Sequence, residues 1–539
     1  MKRNNILIWI SVLFLALVFS ACYDDESTYD TNIIPEVVID TTGIPARHSV
    51  FFNHTMTLEP KIYKKGDPDA ELEYLWRIDV SSSDTTRMVL GHEPKLNAKI
   101  TVSPNTLDYT LSLTVTDKSN GLQYYMYWKV FVSSEFGEGL IVADTKNGST
   151  SDLNLIMANE FTEGFKNEGK DIIHRNLYSQ SNGEEIDGVV CGVYYGNVYN
   201  KRRITAITPN SIVRLNPLDY QFMDRDGDAF FIPMEKIAPA YICNGYTSEY
   251  LVINKKVAIL SAQHNTKYGY PYTGDYEVKK YIAVNPSTYY NSVGGGVVYD
   301  EKHNRFLWLP YFYNSSPMVE CKAFAGGEFD PNNVGDKTCL FADLGNLNDY
   351  YFVMKDRQAE NYYIYVVDGN TGGKDNGMLG KHIYNISHCP KIGQAVAYVF
   401  SPLENTLYYA TDSEVYAVML ATENLMTELR YPTSAGNPLA TGEKITSLEI
   451  HKGDGYATLG ERTEEGKVVK DQVGSEYRLL LMTTYNETSK EGVVYTLPIK
   501  NLGAGVIAEN YVKRFGGFGR VLATYPQGKS VSYTHLTLP

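Results

Sequence analysis

Apolar and polar residues alternate with a period of two in four segments between residues 35 and 134. The segments cover residues 50–63, 71–80, 108–117 and 122–133, and polar turns such as GDPDAE and DKSNG separate them. This alternation is typical of strands that bury one face. Trp76 falls in the middle of the second segment, on one side with Leu72, Tyr74 and Ile78. The pattern predicts a small β-sandwich with Trp76 as a core residue between two sheets.

From residue 135 to about residue 530 the pattern changes to recurring groups of short apolar strands. The groups lie roughly 45 to 60 residues apart, which is the range in which propeller blades repeat. Each group runs from an apolar strand through a polar turn into further strands. The sequence therefore predicts an all-β protein, in which the sandwich is followed by a β-propeller of about six to eight blades. Two further β-sandwiches are the alternative, and the pattern allows a helix only at residues 159–171.

Residues 1–21 have the pattern of a cleaved export signal. Lys2 and Arg3 precede an apolar run at residues 6–19, and small residues then lead into Cys22. The run is too short for a membrane-spanning helix. A cysteine at this point is similar to the signal of bacterial lipoproteins, in which the thiol carries diacylglycerol; an ordinary signal with an incidental cysteine is the alternative. We expect cleavage before Cys22 and attachment to a membrane through lipid at Cys22.

Two features of the first quarter of the chain carry a family resemblance. Tyr74-Leu75-Trp76 is followed by residues 109–117, YTLSLTVTD, then by a turn with glycine and a last strand. Three acidic residues and a later Tyr-Asp pair follow Cys22 in the segment CYDDESTYD. This order resembles the PKD-like lipoprotein family of Bacteroidetes. The resemblance implies an acidic lipidated linker at residues 22–34 and a PKD-like (Ig-like) β-sandwich at residues 35–134.

The resemblance also implies an address and partners. The acidic run resembles the tag that sends such lipoproteins to the exterior face of the outer membrane; the periplasmic face is the alternative. Members of this family are often encoded beside Sus-type uptake systems. This implies a TonB-dependent transporter and its lid lipoprotein as partners, and an oligosaccharide or oligopeptide nutrient as the ligand.

The end of the printed sequence has a different origin. Residues 531–539, VSYTHLTLP, match the translation of a transposase-type sequencing adapter. We interpret them as an assembly scar and exclude them from reasoning about the fold. We therefore expect the propeller-like domain at residues 135–530, with the native chain continuing beyond it.

Charge and cysteine content narrow the classes of partner. The chain has 539 residues and a formal net charge of −14, which argues against binding of nucleic acid. No CxxC spacing occurs, which argues against a zinc site. Cys321 and Cys339 either pair in an oxidising compartment or remain buried thiols. The other cysteines after the leader are Cys191, Cys243 and Cys389.

Three aspartates raise the question of a bound calcium ion. Asp224, Asp226 and Asp228 are spaced around a glycine, and such carboxylates suit a hard cation. The further ligands of an EF-hand are missing, so a hairpin turn at Asp-Gly is the alternative. The sequence contains no HExxH, no GxSxG and no glycine-rich phosphate loop before a helix. Calcium is therefore the only cofactor candidate, and no catalytic motif is found.

Aromatic residues give the candidate binding site. Residues 264–276 are rich in Tyr, Gly and Pro but have no period-two order, and a second aromatic cluster occupies residues 308–313. Exposed aromatic faces stack on sugar rings and peptide side chains. Packing between blades is the alternative, because aromatic residues commonly serve as core. The candidate ligand contacts are Tyr268, Tyr270, Tyr272, Tyr276, Trp308, Tyr311 and Tyr313.

These observations favour a binding lipoprotein that is not an enzyme. It would capture an oligosaccharide or oligopeptide at the cell surface by stacking and hydrogen bonding. A hydrolase or lyase on a propeller scaffold is the second hypothesis, and it requires carboxylates or a metal near the propeller axis. A structural or adhesive accessory subunit is the third.

Overall fold

In the computed structural model the chain divides between Ser133 and Ser134 into two compact units. The structure describes residues 35–80, 86–105, 107–162, 170–198, 201–245, 248–261, 267–286, 296–309, 317–320, 322–323, 326–369, 377–421, 424–433 and 439–528. Within them nearly all regular structure is strand. Helices are short: α1 (Leu177–Asn182) and 3₁₀ turns at Asp226–Ala229, Asn346–Asn348, Ile392–Gln394 and Glu509–Tyr511.

The first unit is a β-sandwich. One sheet has five strands in the order β2-β9-β8-β5-β6, in which β2 and β9 run parallel. Two-stranded sheets pair β1 with β4 and β3 with β7. The strands are β1 (Val37–Asp40), β2 (Arg47–Phe51), β3 (Thr55–Leu58), β4 (Lys61–Lys64), β5 (Leu72–Asp79), β6 (Arg87–Gly91), β7 (Leu96–Lys99), β8 (Tyr109–Asp117) and β9 (Gln123–Ser133).

Two stacked tryptophans form the centre of this sandwich. Trp76 on β5 and Trp128 on β9 are buried, with ring centroids 5.4 Å apart. The Trp76 indole N–H donates a hydrogen bond of 2.8 Å to the carbonyl of Glu93, so its one polar atom is satisfied. The predicted core role of Trp76 is therefore confirmed.

The second unit is a ring of seven sheets within its described residues. Blade 1 contains β10 (Gly139–Thr145), β11 (Thr150–Met157), β12 (Ile172–His174), β13 (Ile186–Asp187) and, from the far end of the chain, β42 (Arg520–Gln527). Blade 2 contains β14 (Gly192–Val198), β15 (Lys201–Thr208), β16 (Ser211–Leu215) and β17 (Phe222–Arg225). Blade 3 contains β18 (Pro239–Asn244), β19 (Ser248–Ile253) and β20 (Lys256–Ser261).

The next three blades follow in chain order. Blade 4 contains β21 (Ile282–Ala283), β22 (Gly296–Asp300), β23 (Arg305–Leu309) and β24 (Val319–Glu320). A small parallel pair joins β25 (Lys322–Ala323) to β29 (Gly377–Met378). Blade 5 contains β26 (Lys337–Leu344), β27 (Tyr350–Asp356), β28 (Tyr362–Val367) and β30 (Gly380–Asn385). Blade 6 contains β31 (Ala397–Phe400), β32 (Thr406–Ala410), β33 (Val415–Met419) and β34 (Met426–Tyr431).

Blade 7 carries an inserted hairpin. Its sheet contains β35 (Glu443–Ile450), β38 (Leu479–Asn486), β39 (Glu491–Asn501), β40 (Val506–Ile507) and β41 (Lys513–Phe518). Between β35 and β38 the chain forms a separate two-stranded sheet of β36 (Tyr456–Glu464) and β37 (Lys467–Gly474). The far part of this hairpin is exposed on both faces.

The ring closes through blade 1, because β42 pairs antiparallel with β10 from Gly139 opposite Gln527 to Thr145 opposite Arg520. A buried apolar cluster fills each space between neighbouring blades, including the space between blades 7 and 1. On β10, Ile141 faces blade 2 whereas Leu140 faces blade 7. Both faces of a blade are therefore buried, which explains why these strands are apolar throughout instead of alternating. The prediction of a propeller is confirmed, with seven blades.

The helix predicted at residues 159–171 is absent from the described part of this segment. Residues 159–162 form a turn and a bend, and residues 170–171 are not helical; the rest of the segment lies outside the described residues. Among the described residues, no helix has the length and apolar character needed to cross a bilayer.

Candidate functional site

The inner strands of the seven blades surround a central channel with two cavities. The strands are β42, β14, β18, β21, β26, β31 and β35, which are the first strands of their sheets from the axis. The larger cavity, here called the main chamber, has a volume of about 480 Å³. The smaller cavity has a volume of about 120 Å³ and lies where the inner strands end. A volume of several hundred Å³ is typical of sites for small ligands.

An ion pair marks the border between the two cavities. Asp343 on β26 and Lys452, which follows β35, line both cavities, as do Tyr241 and Tyr525. The Lys452 ammonium lies 2.7 Å from a carboxylate oxygen of Asp343. Because these residues come from blades 5 and 7, the pair reaches past the inner strand of blade 6. We call these four side chains the septum.

The Lys452 ammonium of the septum stays charged at neutral pH. Burial works against the charge of the Lys452 ammonium, but the Asp343 carboxylate, aided by Tyr477, raises the pKa of Lys452 above its ordinary value. A cation whose pKa is raised remains protonated through the physiological range. A salt bridge and two aromatic rings therefore line the channel at the level where the two cavities meet.

Glu449 on β35 is the second acidic group in the main chamber. The Thr524 hydroxyl donates a hydrogen bond of 2.6 Å to its carboxylate. Burial raises the pKa of Glu449, although the Thr524 hydrogen bond and the charges of Lys452 and Lys280 act in the opposite direction. Glu449 is thus a carboxyl group that holds its proton to a higher pH than an exposed glutamate does.

Aromatic rings form much of the remaining wall. Tyr281 contacts Tyr241 and Phe341 edge to face, with ring centroids 5.3 and 5.1 Å apart. Tyr398 and Tyr525 also line the main chamber. Burial raises the pKa of Tyr281, so its hydroxyl remains a hydrogen-bond donor at neutral pH. The chamber thus combines aromatic surface with a few polar groups, as sites for sugars and peptides do.

Lys280 and Cys191 lie at the end of the main chamber where the inner strands begin. Both line the chamber and both are exposed. Lys280 directly precedes the strand region of blade 4, and its ammonium lies 5.1 Å from the ring centre of Tyr281. Lys280 makes no ion pair with any residue that the structure describes. Burial raises the pKa of the Cys191 thiol, while the nearby charge of Lys280 acts to lower it.

The described residues of the predicted aromatic loop do not line this channel. Tyr268, Tyr272 and Tyr276 are buried, with relative exposures of 0%, 2% and 1%. Tyr268 belongs to the apolar cluster between blades 2 and 3, and the other two belong to the cluster between blades 3 and 4. The expectation of an exposed binding face at these three residues is therefore corrected, because they pack between blades. Tyr270 is 55% exposed, so its ring is accessible to a ligand, and its role in binding stays a prediction.

The tyrosine hydroxyls explain how this loop is held. Tyr268 donates a hydrogen bond to the buried carboxylate of Glu249, whose other oxygen lies 2.8 Å from the Arg203 guanidinium. Tyr276 donates a hydrogen bond of 2.9 Å to the carbonyl of Tyr272. A buried carboxylate is retained only where donors satisfy it. Tyr268 therefore completes a structural network instead of facing a ligand.

The second aromatic cluster is described only in part. Trp308 on β23 is half-buried and packs against the apolar cluster between blades 4 and 5. Tyr311 and Tyr313 lie outside the described residues, as does the lipidation candidate Cys22. Trp308 does not line either channel cavity. Its role in ligand binding stays a prediction.

The three aspartates of the calcium candidate have other partners. The Arg214 guanidinium donates hydrogen bonds of 2.5 and 2.6 Å to Asp224. Asp226 accepts hydrogen bonds from the hydroxyl of Ser211 and the backbone N–H of Ile212. Asp228 lies in the 3₁₀ turn Asp226–Ala229. Among the described residues, no group of three or more His, Cys, Asp or Glu side chains is placed to hold a metal ion.

The structure describes one of the two cysteines of the possible disulfide. Cys339 is buried and is a free thiol, as are Cys243 and Cys389. Cys321 lies outside the described residues. Burial raises the pKa of Cys389. These thiols therefore act as small apolar side chains within the blades.

Sequence analysis did not identify the charged residues of the channel as site residues. Lys280, Asp343, Glu449 and Lys452 are far apart in sequence and belong to three different blades. No local spacing connects them. A usable signal is a charged residue within or beside the apolar first strand of a repeat, as in LEIHKGDG for Glu449 and Lys452.

Comparison with known proteins identifies the N-terminal part of the chain. The PKD-like family matches residues 22–189. A PKD-like domain is therefore present, and the match extends past Ser133 into the second unit. No curated protein matches the chain.

Several solved structures are similar to the chain at low identity. A quinonprotein alcohol dehydrogenase-like protein from Bacteroides thetaiotaomicron is 12% identical, with a TM-score of 0.37, over 91% of this chain and 96% of that chain. A yeast nucleoporin complex is 7% identical, with a TM-score of 0.32, over 62% and 97%. The WD40 domain of SCAP from fission yeast is 8% identical, with a TM-score of 0.23, over 71% and 75%. The propeller assignment rests on the sheet topology of this chain.

Proposed function

We propose that this protein is a binding protein that captures an oligosaccharide or oligopeptide in the main chamber of its propeller. The observation that carries the proposal is the chamber itself, about 480 Å³ in volume, walled by aromatic rings and bordered at one end by the septum. Aromatic faces provide stacking, and the hydroxyl and charged groups fix orientation. The ligand enters where the inner strands begin and is held without covalent chemistry.

The sequence supports a location for this activity. The signal pattern at residues 1–21 and Cys22 support lipid anchoring in the outer membrane, and the acidic run after Cys22 supports the exterior face. The protein would then serve a TonB-dependent transporter and its lid lipoprotein as an accessory subunit. Membrane fractionation of a Cys22→Ala chain tests the anchor. A variant that remains with the membrane fraction contradicts it.

Blocking the chamber tests the binding proposal. Val396 lines the main chamber and is 48% exposed, so a larger side chain there enters the chamber without displacing buried core. We expect Val396→Trp to abolish binding to glycan or peptide arrays, and Val396→Ala to retain it. Equal binding by both variants would place the ligand elsewhere. No binding by the unaltered protein would favour a structural accessory subunit.

One observation supports the second hypothesis of a hydrolase or lyase. Glu449 and Asp343 lie in the same chamber, and the raised pKa of Glu449 suits a general acid. Glycosidases use two carboxyl groups in this way. Mass analysis of the ligand after binding separates the two hypotheses. An intact ligand supports capture, whereas fragments that disappear in Glu449→Gln support catalysis.

A further inference from the structure

The main chamber has a lysine at its entrance that forms no ion pair among the described residues. Its charged lining residues are Lys280, Asp343, Glu449 and Lys452. Asp343 and Lys452 neutralise each other across the septum at 2.7 Å. Glu449 accepts a hydrogen bond from Thr524, and burial raises its pKa. Lys280 is the exposed cation of this lining, and it makes no ion pair among the described residues.

The sign of this charge is opposite to that of the molecule. The chain has a formal net charge of −14. An acidic protein repels anions in general, so a single exposed lysine at the entrance of a cavity defines a local site for an anion. Lys280 lies beside the ring of Tyr281, which gives an anionic group and a flat ring neighbouring positions to occupy.

We propose that the main chamber selects an acidic sugar, a uronate unit of an oligosaccharide, whose carboxylate pairs with Lys280 while its ring stacks on the tyrosines beside it. This inference rests on the proposed function and names its ligand class. A peptide is disfavoured because its terminal ammonium needs an anionic partner. Asp343 is already paired with Lys452, and the Glu449 carboxylate already accepts a hydrogen bond from Thr524.

The direction of entry follows from the septum. Lys280 and Cys191 lie where the inner strands begin, whereas the septum lies toward their ends. An oligosaccharide therefore enters past Lys280 with its acidic unit held near the entrance. Cys191 is an exposed thiol on the same rim, so it reports occupancy by its protection from a maleimide.

The experiment compares trigalacturonate with its methyl ester, which removes the charges and keeps the rings. Calorimetry on the full lipidated chain in detergent should show the acid binding at least about tenfold more tightly than the ester, with a preference that falls as salt rises. Lys280→Gln should remove the preference. Lys279→Gln is the matched control, because Lys279 is adjacent, exposed and outside the chamber lining, with its ammonium 3.5 Å from the Thr338 hydroxyl.

The outcomes separate this inference from the proposed function. Acid-selective binding that protects Cys191 and is lost only in Lys280→Gln supports the inference. Equal affinity for acid and ester, or an unchanged preference in Lys280→Gln, overturns it. Cys191 protection by a neutral sugar or a peptide but not by the acid overturns the uronate assignment and leaves capture in the chamber intact. Absence of protection by any of these probes overturns both.

Discussion

A buried ion pair makes the first unit sensitive to acid. The Lys64 ammonium lies 2.9 Å from the Asp117 carboxylate, and their side chains are 6% and 1% exposed. Hydrogen bonds from Ser119, followed by the contact with Lys64, lower the pKa of Asp117 to about 2. Because the unfolded group has an ordinary pKa of 3.8, the unfolded state binds the proton first as the pH falls.

We therefore predict that this contribution to stability is complete above about pH 4 and is lost as the pH falls through about 2. Hydrogen–deuterium exchange of peptides from β8 should show protection falling in this window. In Asp117→Asn the acid-dependent step should disappear, and protection should be lower at neutral pH because the buried Lys64 keeps only the more distant carboxylate of Asp67, at 3.6 Å. Asp69→Asn, at an exposed position, is the control. A step that persists in Asp117→Asn would assign it to another group.

Tyr268 gives a second test at the same scale. Its hydroxyl is one of the donors to the fully buried carboxylate of Glu249. Tyr268→Phe should destabilise the protein by about 1–3 kcal/mol, since the carboxylate loses a hydrogen bond in a buried site. Tyr270→Phe, at an exposed position, should change stability by less than about 0.5 kcal/mol. Urea unfolding measures both.

Measuring the ligand affinity of Tyr268→Phe separates a packing role of Tyr268 from a binding role. Because Tyr268 lies between blades and not in the channel, Tyr268→Phe should leave ligand affinity unchanged. Reduced affinity with unchanged stability would restore the binding role that the sequence suggested. The sequence suggested it because the loop has no period-two order, and that order is the usual signal of a buried aromatic residue. Tyr268, Tyr272 and Tyr276 instead reach the spaces between blades from irregular backbone, which leaves no periodic signal.

At the scale of elements, prediction succeeded where apolar and polar residues alternate along the sequence. The predicted segments 71–80, 108–117 and 122–133 correspond to Leu72–Asp79, Tyr109–Asp117 and Gln123–Ser133. The segment 50–63 instead contains the end of β2 and two further strands, because a turn at Asn53, with φ of 63°, and two irregular residues before Lys61 divide it. In the blades both faces are buried, so periodicity located the strand groups but not the role of each strand.

The contact between blade 7 and the start of β42 depends on two glycines. A Cβ atom at Gly492 would lie 1.8 Å from the carbonyl oxygen of Gly519, which is backbone and has little freedom to move. Gly492→Ala should therefore destabilise the second unit by about 1–3 kcal/mol through overpacking. Gly474→Ala is the matched control, because it also lies on a strand of the blade 7 region and a Cβ there meets nothing within 4 Å. Equal thermal transitions for the two variants would contradict this packing.

At the scale of the whole second unit, the fold could be predicted from the sequence, whereas the residues of the channel could not. Repeating strand groups indicate blades because every blade, apart from the closing strand β42 of blade 1, is a contiguous stretch of chain. The channel is built from one strand of every blade, so its charged residues are separated by up to 172 positions, from Lys280 to Lys452. Only the ring brings them together. The same geometry makes the site depend on closure, because the strand β42 supplies Thr524 and Tyr525 to the channel wall.

Because β42 closes the ring, we predict that folding of the second unit depends on whether the chain includes this strand. A chain that ends at Phe518 loses the inner strand of blade 1, and with it Val521 and Ala523 from the clusters on its two sides. The exposed edge of β10 would then invite pairing with other chains. We expect aggregation on size-exclusion chromatography and no ligand binding. A chain that ends at Gly528 retains all of β42 and should behave as the full chain does. A monomeric, cooperatively unfolding chain ending at Phe518 would show that the other six blades hold the ring without this strand.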